Sequence, residues 1–436
     1  MNLGNESRRT RVANAARIGL FGVLGAGNIG NDASMESMLS YLTAAHPHVM
    51  IDAMCGGPEH LQTKYGIDAI PQQWQQKYEN VPRLSKPIVK ILGKFFDVFR
   101  TMQWVRRHDL VIVPGAGVLE ASLPLGPWTI PYSMFLLCLA GRIFDTKVAL
   151  VSVGADTIKP RLTRWFSTTA ARLAWFRSYR DQMSLEAMQR RGLDTSEDRV
   201  YPDLVFGLTP YVDHRIDLKM VGLGVMAYYG SNDDRDNAEN IHKAYVQNMK
   251  LFVRYLVDSD HKVKLFVGDV KWDYEVVDAI FSDLAANRPT LAPGTVSAEP
   301  ITTFEDLAQA MAPVGTVVAI RYHNVMCALK LCKPTISISY SRKHDVLMQE
   351  MGLPGFHQSA NSLHVERLIA QFEDLESRAH ELSDVLEKNN REQAALVEQQ
   401  LQYLLSSSLP TRDRCQEDVS PVADAGGTKE PVRIGQ

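Results

Sequence analysis

The chain has 436 residues, more than one ordinary hydrophobic core accommodates, so we expect two domains. It is 45% apolar and 22% charged, with a formal net charge of −3. This composition is typical of a soluble globular protein and lacks the basic surplus of a nucleic-acid-binding protein. Its 5 cysteines form no Cys-x-x-Cys pair, which indicates reduced thiols rather than a disulfide framework or a zinc site.

The two ends of the chain lack the pattern of a folded segment. Residues 1–14 are polar and contain arginine, and no apolar stretch long enough for a signal peptide follows. The most apolar run, Met134–Ala140, is far shorter than a membrane span. We therefore expect a cytoplasmic protein with a disordered N-terminus at residues 1–15 and a disordered tail at residues 406–436.

Residues 16–208 alternate between strand-like and helix-like patterns, which predicts a first α/β domain. Its strand-like runs, most of them apolar as in parallel strands covered on both faces, are Ile18–Leu24, Val49–Met54, Leu110–Val113, Val148–Val153, Phe176–Tyr179 and Arg199–Val205. Helical patterns include Ala33–Ala44, for which Asp32 is the predicted N-cap, and Ser184–Arg191, which ends before Gly192.

A second alternating series occupies residues 209–360 and begins with a linker-like segment. Its predicted strands and helices are, in order, Met220–Val225, Ala238–Val257, Val263–Val267, Trp272–Ala285, Val314–Ile320, Asn324–Leu331, Thr335–Ile338 and Lys343–Met351. Residues 361–405 follow as a long charged helical segment, whose glutamates, Glu373 and Glu376 among them, we expect to form a solvated face. Two α/β units in tandem predict a cleft between them.

A glycine-rich loop at residues 25–30 reads Gly-x-Gly-x-x-Gly between a predicted strand and a predicted helix. This is the spacing of a dinucleotide-binding loop, and Asp52, at the end of the second predicted strand, is placed to hold a ribose. However, the continuation from Asn28 to Asp32 is polar, whereas a dinucleotide loop needs close helix packing. The loop suits the hydroxyl groups of a polar substrate, and a plain strand-to-helix turn is the alternative.

A second glycine loop, Pro114–Val118, follows another predicted buried strand. Glycines at a strand end either allow the backbone to approach a ligand closely or simply form a tight turn. Both glycine loops are predicted at the same edge of the sheet, which favours the first interpretation.

Charged residues also follow buried strands. Arg321, Tyr322 and His323 come directly after the apolar run Val317–Ile320, and Arg180 ends another short strand. In an open α/β sheet this carboxyl edge binds ligands, and the free N–H groups of helix N-termini there favour anions. These residues predict a small substrate that carries phosphate or carboxylate. The alternatives are a capping salt bridge for Arg180 and a structural hydrogen bond for His323.

The stretch Leu84–Arg107 is basic and amphipathic, with six lysine and arginine residues among apolar side chains. Such a helix could lie on an anionic membrane surface. We favour the alternative in which its apolar side packs on the sheet.

Taken together and in chain order, these segments resemble the polysaccharide pyruvyl transferase family. The resemblance spans about Arg17 to Leu353 and rests on residues 27–33, 115–118, 151–154, 179–181 with Ser184 and Gly192, 203–206, 321–328, and 333–340 with Lys343. The family usually has Asn-x-Gly-Asp in the first loop, whereas here Asn31 holds the acidic position and Asp32 comes one residue later.

The resemblance implies a GT-B-like α/β fold, in which two Rossmann-like, doubly wound domains face each other across a cleft, with a long C-terminal helix. It implies transfer of pyruvate from phosphoenolpyruvate to two hydroxyls of a sugar, forming a cyclic ketal. The acceptor would be a saccharide or a lipid-linked saccharide, and a lipid-linked one would bring the protein to the inner face of the membrane. No metal or nicotinamide cofactor is implied, because phosphoenolpyruvate is a co-substrate.

Roles for single residues follow from the same resemblance. His323 would be the general acid, and Arg180 and Arg321 would bind phosphoenolpyruvate, since planar guanidinium groups bind carboxylate and phosphate bidentately. Lys343 would contact phosphate. On the acceptor side, the N-terminal domain, the candidates are Asn28, Asp32 and Gly117.

Two alternatives belong to other functional classes. A GT-B glycosyltransferase that uses a nucleotide sugar would have the same cleft, and Glu350 is its acidic candidate in the nucleotide site, although it follows the anion-site residues rather than preceding them. A non-catalytic scaffold of a polysaccharide-assembly complex is the second, but the intact Arg180, Arg321 and His323 argue against a decayed site. An NAD-dependent oxidoreductase comes last, because nothing downstream indicates a hydride-transfer site.

Overall fold

The structure is a computed structural model that describes residues 15–74, 86–120, 126–209, 215–230, 234–267, 272–299 and 301–409, with backbone only at 86–90. The predicted disordered ends at residues 1–15 and 406–436 lie outside the described residues, apart from a few positions at their inner limits.

The first sheet has seven parallel strands in the order β3-β2-β1-β4-β5-β6-β7. The strands are β1 (Arg17–Gly22), β2 (Met50–Cys55), β3 (Asp68–Pro71), β4 (Leu110–Pro114), β5 (Lys147–Val153), β6 (Phe176–Tyr179) and β7 (Arg199–Val200). The helices between them are α1 (Ile29–Ala45), α2 (Pro58–Tyr65), α3 (Lys86–Val105), α4 (Ile130–Phe144), α5 (Arg161–Leu173) and α6 (Gln182–Arg190). Because the strand order reverses between β1 and β4, the two loops that follow these strands border a crevice.

Helices cover both faces of this sheet. The core on one face joins Ile18 and Leu20 of β1 to Met38 of α1, whereas the core on the other face joins Val111 of β4 to Leu137 of α4. Apolar strands covered in this way need side chains on both faces, which explains the continuous Val, Ile and Leu runs of the sequence.

Two boundaries differ by four residues or more from those predicted. Helix α1 begins at Ile29 rather than Ala33, because Asn28 and not Asp32 is its N-cap: the Asn28 side chain accepts a hydrogen bond from the Asn31 backbone N–H. The predicted strand Arg199–Val205 is only two residues long, because the Asp203 carboxylate accepts from the Val205 backbone N–H and turns the chain into a short 3-10 helix.

The second sheet has six parallel strands in the order β10-β9-β8-β11-β12-β13. They are β8 (Asp217–Gly224), β9 (Lys262–Phe266), β10 (Val296–Ala298), β11 (Val314–Ala319), β12 (Thr335–Ser339) and β13 (His357–Ser359). Its helices are α7 (Ala238–Asp258), α8 (Tyr274–Asn287), α9 (Phe304–Met311), α10 (Tyr322–Lys330) and α11 (Arg342–Glu350). The order repeats that of the first sheet, so the switch point lies between β8 and β11.

The C-terminal segment is two helices, α12 (Val365–Ser377) and α13 (Ala379–Ser408), which meet at Arg378. Helix α13 returns to the first domain, where the buried Gln400 side chain accepts a hydrogen bond from Ser152 Oγ at 2.9 Å. This helix therefore ties the two domains together. Glu373 is exposed, as expected, and accepts a hydrogen bond from Tyr255, whereas Glu376 is only partly exposed and pairs with the buried His261 of the second domain.

The amphipathic helix α3 is oriented opposite to our expectation. Its exposed side is apolar, with Phe95 64% and Phe99 71% exposed, whereas Asp97 on its inward side is buried. Among the described residues, no helix is long and apolar enough to cross a bilayer.

Candidate active site at the domain interface

The site forms where the carboxyl ends of strands from the two sheets meet. Lys343, at the start of α11, reaches Glu120 beyond β4 of the first domain, and its Nζ lies 2.6 Å from Glu120 Oε2. Tyr322, at the start of α10, covers the guanidinium of Arg180 from the first domain at 5.5 Å from the ring centre. The two domains therefore contact each other through ionisable side chains.

Glu120 is the central anion of this interface. Its Oε1 accepts a hydrogen bond from Arg180 Nη2 at 2.8 Å, while its other oxygen faces Lys343. Burial alone would raise the pKa of Glu120, but Arg180 and Lys343 outweigh it and hold that pKa below its usual value. Space for the carboxylate comes from two glycines, since a Cβ atom at Gly117 or Gly154 would lie within 3 Å of it.

Arg180 is surrounded by carboxylates. Besides Glu120, its Nη1 lies 3.4 Å from Asp203 Oδ2 and its Nε lies 3.7 Å from Asp181 Oδ2. Asp181 also caps α6 by accepting from the Ser184 backbone N–H at 2.7 Å, so the capping salt bridge considered for Arg180 is present. Burial would lower the pKa of Arg180, but these carboxylates raise it above its usual value. Arg180 is thus a fixed, permanent cation.

Arg321 has a single buried partner and a free edge. Its Nε and Nη2 donate to the two oxygens of the fully buried Asp273 at 2.9 and 2.5 Å. Asp273 is itself positioned by the Ala227 backbone N–H, at 3.1 Å. Within the described residues Arg321 Nη1 has no partner, and the side chain remains 28% exposed. A bidentate pair on one side therefore leaves the other edge of the partly exposed guanidinium available to an anion.

His323 lies against the glycine loop of the opposite domain. A Cβ atom built on Gly30 would lie 1.8 Å from His323 Nε2, so the imidazole fills the space that any side chain at position 30 would need. Gly30 is in the first turn of α1 and His323 in the first turn of α10, so two helix N-termini converge on this ring. Their positive ends disfavour an imidazolium.

The electrostatic surroundings keep His323 neutral at pH 7. Burial lowers its pKa to about 4, Asp203 opposes that shift, and the positive charges of Arg180 and Arg321 add to it. Within the described residues the ring accepts or donates no hydrogen bond. An anion placed between these cations would remove their effect on His323 and raise its pKa.

A second imidazole lies behind the first. His344 is buried, its Nδ1 is 3.0 Å from Ser337 Oγ, and its Nε2 has no hydrogen-bond partner among the described residues. Burial lowers the pKa of His344 to about 3, so it is also neutral. Tyr322 and Tyr340 pack edge-on against it.

The acceptor-side candidates differ in where they point. Asn28 is exposed at the mouth of the loop, whereas Asp32 is buried and accepts from the Gly25 backbone N–H at 2.6 Å. Burial raises the pKa of Asp32, although this hydrogen bond opposes it. Asn31, at the position where the family usually has its acid, donates to the Val23 carbonyl. Asn28 is therefore the solvent-exposed candidate, and Asp32 holds the loop.

The structure brings together Arg180, Arg321, His323 and Lys343, as the sequence predicted, and places the 25–30 loop and Gly117 beside them. It adds three residues that sequence reasoning missed as site residues: Glu120, Asp203 and Asp273. Glu120 follows the second glycine loop, so position after a strand was an available signal for it. Asp203 belongs to a segment on which the family resemblance rests, but it lay inside a predicted strand.

The dinucleotide interpretation does not fit this geometry. Asp52 lies in the middle of β2, not at its end, and its carboxylate accepts from Trp104 Nε1 and pairs with His108. The third glycine of the loop accommodates His323 rather than close strand packing. Glu350, the nucleotide-site candidate of a glycosyltransferase, is at the far end of α11 from Lys343.

Comparison with solved structures defines the fold class. Similar structures include MnaA of S. aureus in a co-structure with UDP (TM-score 0.56, 11% identity, 90% of this chain and 96% of that chain). Others are the UDP-GlcNAc 2-epimerase of Methanocaldococcus jannaschii (0.52, 10%, 82% and 92%) and MurG of Acinetobacter baumannii (0.51, 12%, 90% and 99%). With its two parallel sheets and long C-terminal helix, the chain has a GT-B-like α/β fold, as expected.

Comparison of the sequence with protein families identifies the protein more specifically than comparison of the fold. The profile of the polysaccharide pyruvyl transferase family matches residues 28–342, most of the chain, and the protein belongs to this family. The match begins at Asn28 and ends one residue before Lys343. No curated protein sequence matches the chain.

Proposed function

We propose that the protein transfers the pyruvyl group of phosphoenolpyruvate to two hydroxyls of a sugar, forming a cyclic ketal. Membership of the polysaccharide pyruvyl transferase family supports the class of reaction. The observation that carries the proposal is the convergence of three cations, Arg180, Arg321 and Lys343, around a neutral histidine at the domain interface.

Phosphoenolpyruvate would bind to N–H groups of the cationic side chains that are not already paired with carboxylates. The Nη1 edge of Arg321 is available, and the Lys343 ammonium uses one of its three N–H groups on Glu120. Arg180 cannot offer a free pair of N–H groups for a bidentate contact, because carboxylates surround its guanidinium. In this account Arg180 supplies fixed positive charge, while Arg321 and Lys343 contact the carboxylate and phosphate of the substrate.

His323 would deliver the proton that starts the reaction. In the free protein its pKa is lowered to about 4, mainly by burial, so the ring is neutral before the substrate binds. The negative charge of bound phosphoenolpyruvate would raise that pKa, so that the ring takes up a proton as the substrate binds. The substrate would thus create its own general acid.

The chemical steps balance without a cofactor. The imidazolium of His323 gives its proton to the methylene carbon, which becomes a methyl group, and the central carbon becomes cationic. One sugar hydroxyl adds to that carbon and its proton returns to His323. The bond from the central carbon to the phosphate oxygen then breaks, the second hydroxyl adds and closes the ring, and hydrogen phosphate leaves with the second hydroxyl's proton.

The acceptor would bind on the first domain, beside the 25–30 loop. Asn28 is exposed there, and the Gly117 loop lies against Glu120 at the same edge. The buried Asp32 would act indirectly, through its hydrogen bond to Gly25. The acceptor is a saccharide or a lipid-linked saccharide.

Ligand-dependent thermal stability tests this proposal. A hundredfold excess of phosphoenolpyruvate over its dissociation constant should stabilise the protein by roughly 2.7 kcal/mol, and Arg321→Gln should remove most of that gain. Arg288→Gln is the control. Arg288, directly after α8, also pairs with one aspartate, Asp258 at the end of α7, but that aspartate is exposed. Stabilisation by UDP but not by phosphoenolpyruvate would contradict the proposal and favour a glycosyltransferase.

A further inference from the structure

The outer layer of the first domain, formed by α3, α4 and α5, carries large apolar side chains that the fold leaves exposed. We call this surface the α3–α5 face. Its exposed apolar residues are Ile91, Leu92, Phe95, Phe96 and Phe99 of α3, Trp128 just before α4, Ile143 of α4, and Leu162 and Trp165 of α5. They lie on the side of the sheet opposite to α1.

Aromatic side chains of this face form two local groups of ring contacts. The Trp165 ring lies 5.1 Å from that of Phe166, which in turn lies 5.6 Å from the ring of Trp128. At the other end, the ring of Phe96 stacks on that of Trp74 at 5.0 Å. Clustered exposed apolar residues of this kind mark interaction sites.

The outward orientation of α3 is fixed by a buried carboxylate. Asp97 is 3% exposed, and its Oδ1 accepts a hydrogen bond from the Trp74 backbone N–H at 2.7 Å. Lys94 and Arg100 flank it at 3.5 and 3.6 Å. Turning the apolar side of α3 inward would break these contacts, so the exposure of Phe95 and Phe99 is built into the fold.

The α3–α5 face is basic, whereas the whole chain carries a net charge of −3. Among the described residues, its three helices expose four arginines, Arg142, Arg161, Arg164 and Arg172, and no carboxylate. Their one aspartate is the buried Asp97. Arg161 and Arg164 of α5 are exposed beside Leu162 and Trp165.

We propose that the α3–α5 face binds the surface of an anionic phospholipid bilayer. Phe95, Phe99 and Trp165 enter the boundary between headgroups and acyl chains, and the basic residues pair with lipid phosphates. A second copy of the chain is a poor occupant, because it would bring the same exposed arginines against each other. The inference is independent of the proposed reaction, since it rests on a different surface.

Vesicle flotation of the full chain tests this inference. Vesicles of phosphatidylcholine alone are compared with vesicles that contain phosphatidylglycerol, at low and at high salt. We expect binding to the anionic vesicles that weakens with salt, and about tenfold or greater loss in Phe95→Ser/Phe99→Ser and in Arg161→Glu/Arg164→Glu. Circular dichroism and melting temperature establish that each variant is folded.

Matched control variants lie far from this face. Leu218→Ser removes an equally exposed apolar side chain from β8, and Lys388→Glu/Arg391→Glu reverses two exposed charges on α13. Both should bind vesicles as the native chain does. Equal loss in the controls, or no vesicle binding by the native chain, would overturn the inference. The inference would also be overturned if the native chain bound no vesicles and formed an oligomer that dissociates in the Phe95→Ser/Phe99→Ser variant.

Discussion

The cleft and the α3–α5 face both contain arginines and lysines, but they arrange them in opposite ways. In the cleft each cation has a carboxylate at a defined distance: Arg180 and Lys343 share Glu120, and Arg321 binds Asp273. On the α3–α5 face the exposed Arg161 and Arg164 have no carboxylate partner among the described residues. Paired cations are held in place and can recognise a small anion by geometry, whereas unpaired cations on a helical surface provide a diffuse positive field.

The same contrast appears in the apolar side chains. Around the site, Tyr322 is packed against Arg180 and His344. On the α3–α5 face, Phe95 and Phe99 project into solvent. We expect substitutions in the first region to be costly and exposed positions of the second to tolerate them without loss of the fold.

The largest effect is expected in the cleft at His323. His323→Gln should lower the rate of phosphate release from phosphoenolpyruvate, measured with a saccharide acceptor, by about 10²-fold or more, because it removes the proposed general acid. Thermal stability should change little, since the ring makes no hydrogen bond within the described residues. Near-native turnover in a folded variant would show that His323 has another role.

Glu120→Gln should destabilise the protein by about 3 kcal/mol at neutral pH, because it breaks a buried ion-pair network. Since Arg180 and Lys343 hold the pKa of Glu120 low against the effect of burial, its stabilisation is present above the carboxyl's unfolded-state pKa. The difference from the native chain should therefore shrink as the pH falls below about 4. Urea unfolding at pH 7 and pH 3.5 measures this, and a pH-independent difference would contradict it.

Gly30→Ala should lower the rate about tenfold to a hundredfold, because the new methyl group displaces the His323 imidazole. The helix itself should be unharmed, as alanine is the better helix former. Gly355→Ala is the matched control, since nothing lies within 4 Å of its Cβ position. Equal rates in both variants would mean that His323 does not need its place beside the loop.

The smallest effects are expected on the free energy of unfolding, for substitutions on the two sides of α3. Asp97→Ala should cost about 2 kcal/mol, since it removes the carboxylate that accepts from the Trp74 N–H and that balances the charges of Lys94 and Arg100. Phe99→Ser should change the free energy of unfolding by less than about 0.5 kcal/mol, because the ring is already in solvent. A large loss for Phe99→Ser would mean that the ring is packed, and would remove the basis of the membrane inference.

Much of the fold and part of the site followed from the sequence. Apolar runs located the main strands, and residues placed directly after them, such as Arg180 and Arg321, lie at the carboxyl edges of their two sheets. Glu120 was missed because its partners lie 60 and 223 residues away, and no local pattern encodes such a pair.

The orientation of α3 was also beyond sequence reasoning. Amphipathicity locates an apolar face but does not say whether it turns inward, and here a single buried carboxylate, Asp97, decides. The cap of α1 was misplaced for a related reason: Asn28 and Asp32 are both capping residues by type, and only the backbone geometry distinguishes them.

The most direct test of the account is the titration of His323 by NMR in the free protein and with phosphoenolpyruvate, with His323→Gln to assign its signals. We predict a pKa well below the usual value in the free protein, about 4, lowered chiefly by burial. We predict that phosphoenolpyruvate raises it toward neutrality. If the ligand binds and the His323 pKa stays unchanged, the substrate does not charge this histidine, and the proposed proton donor is wrong.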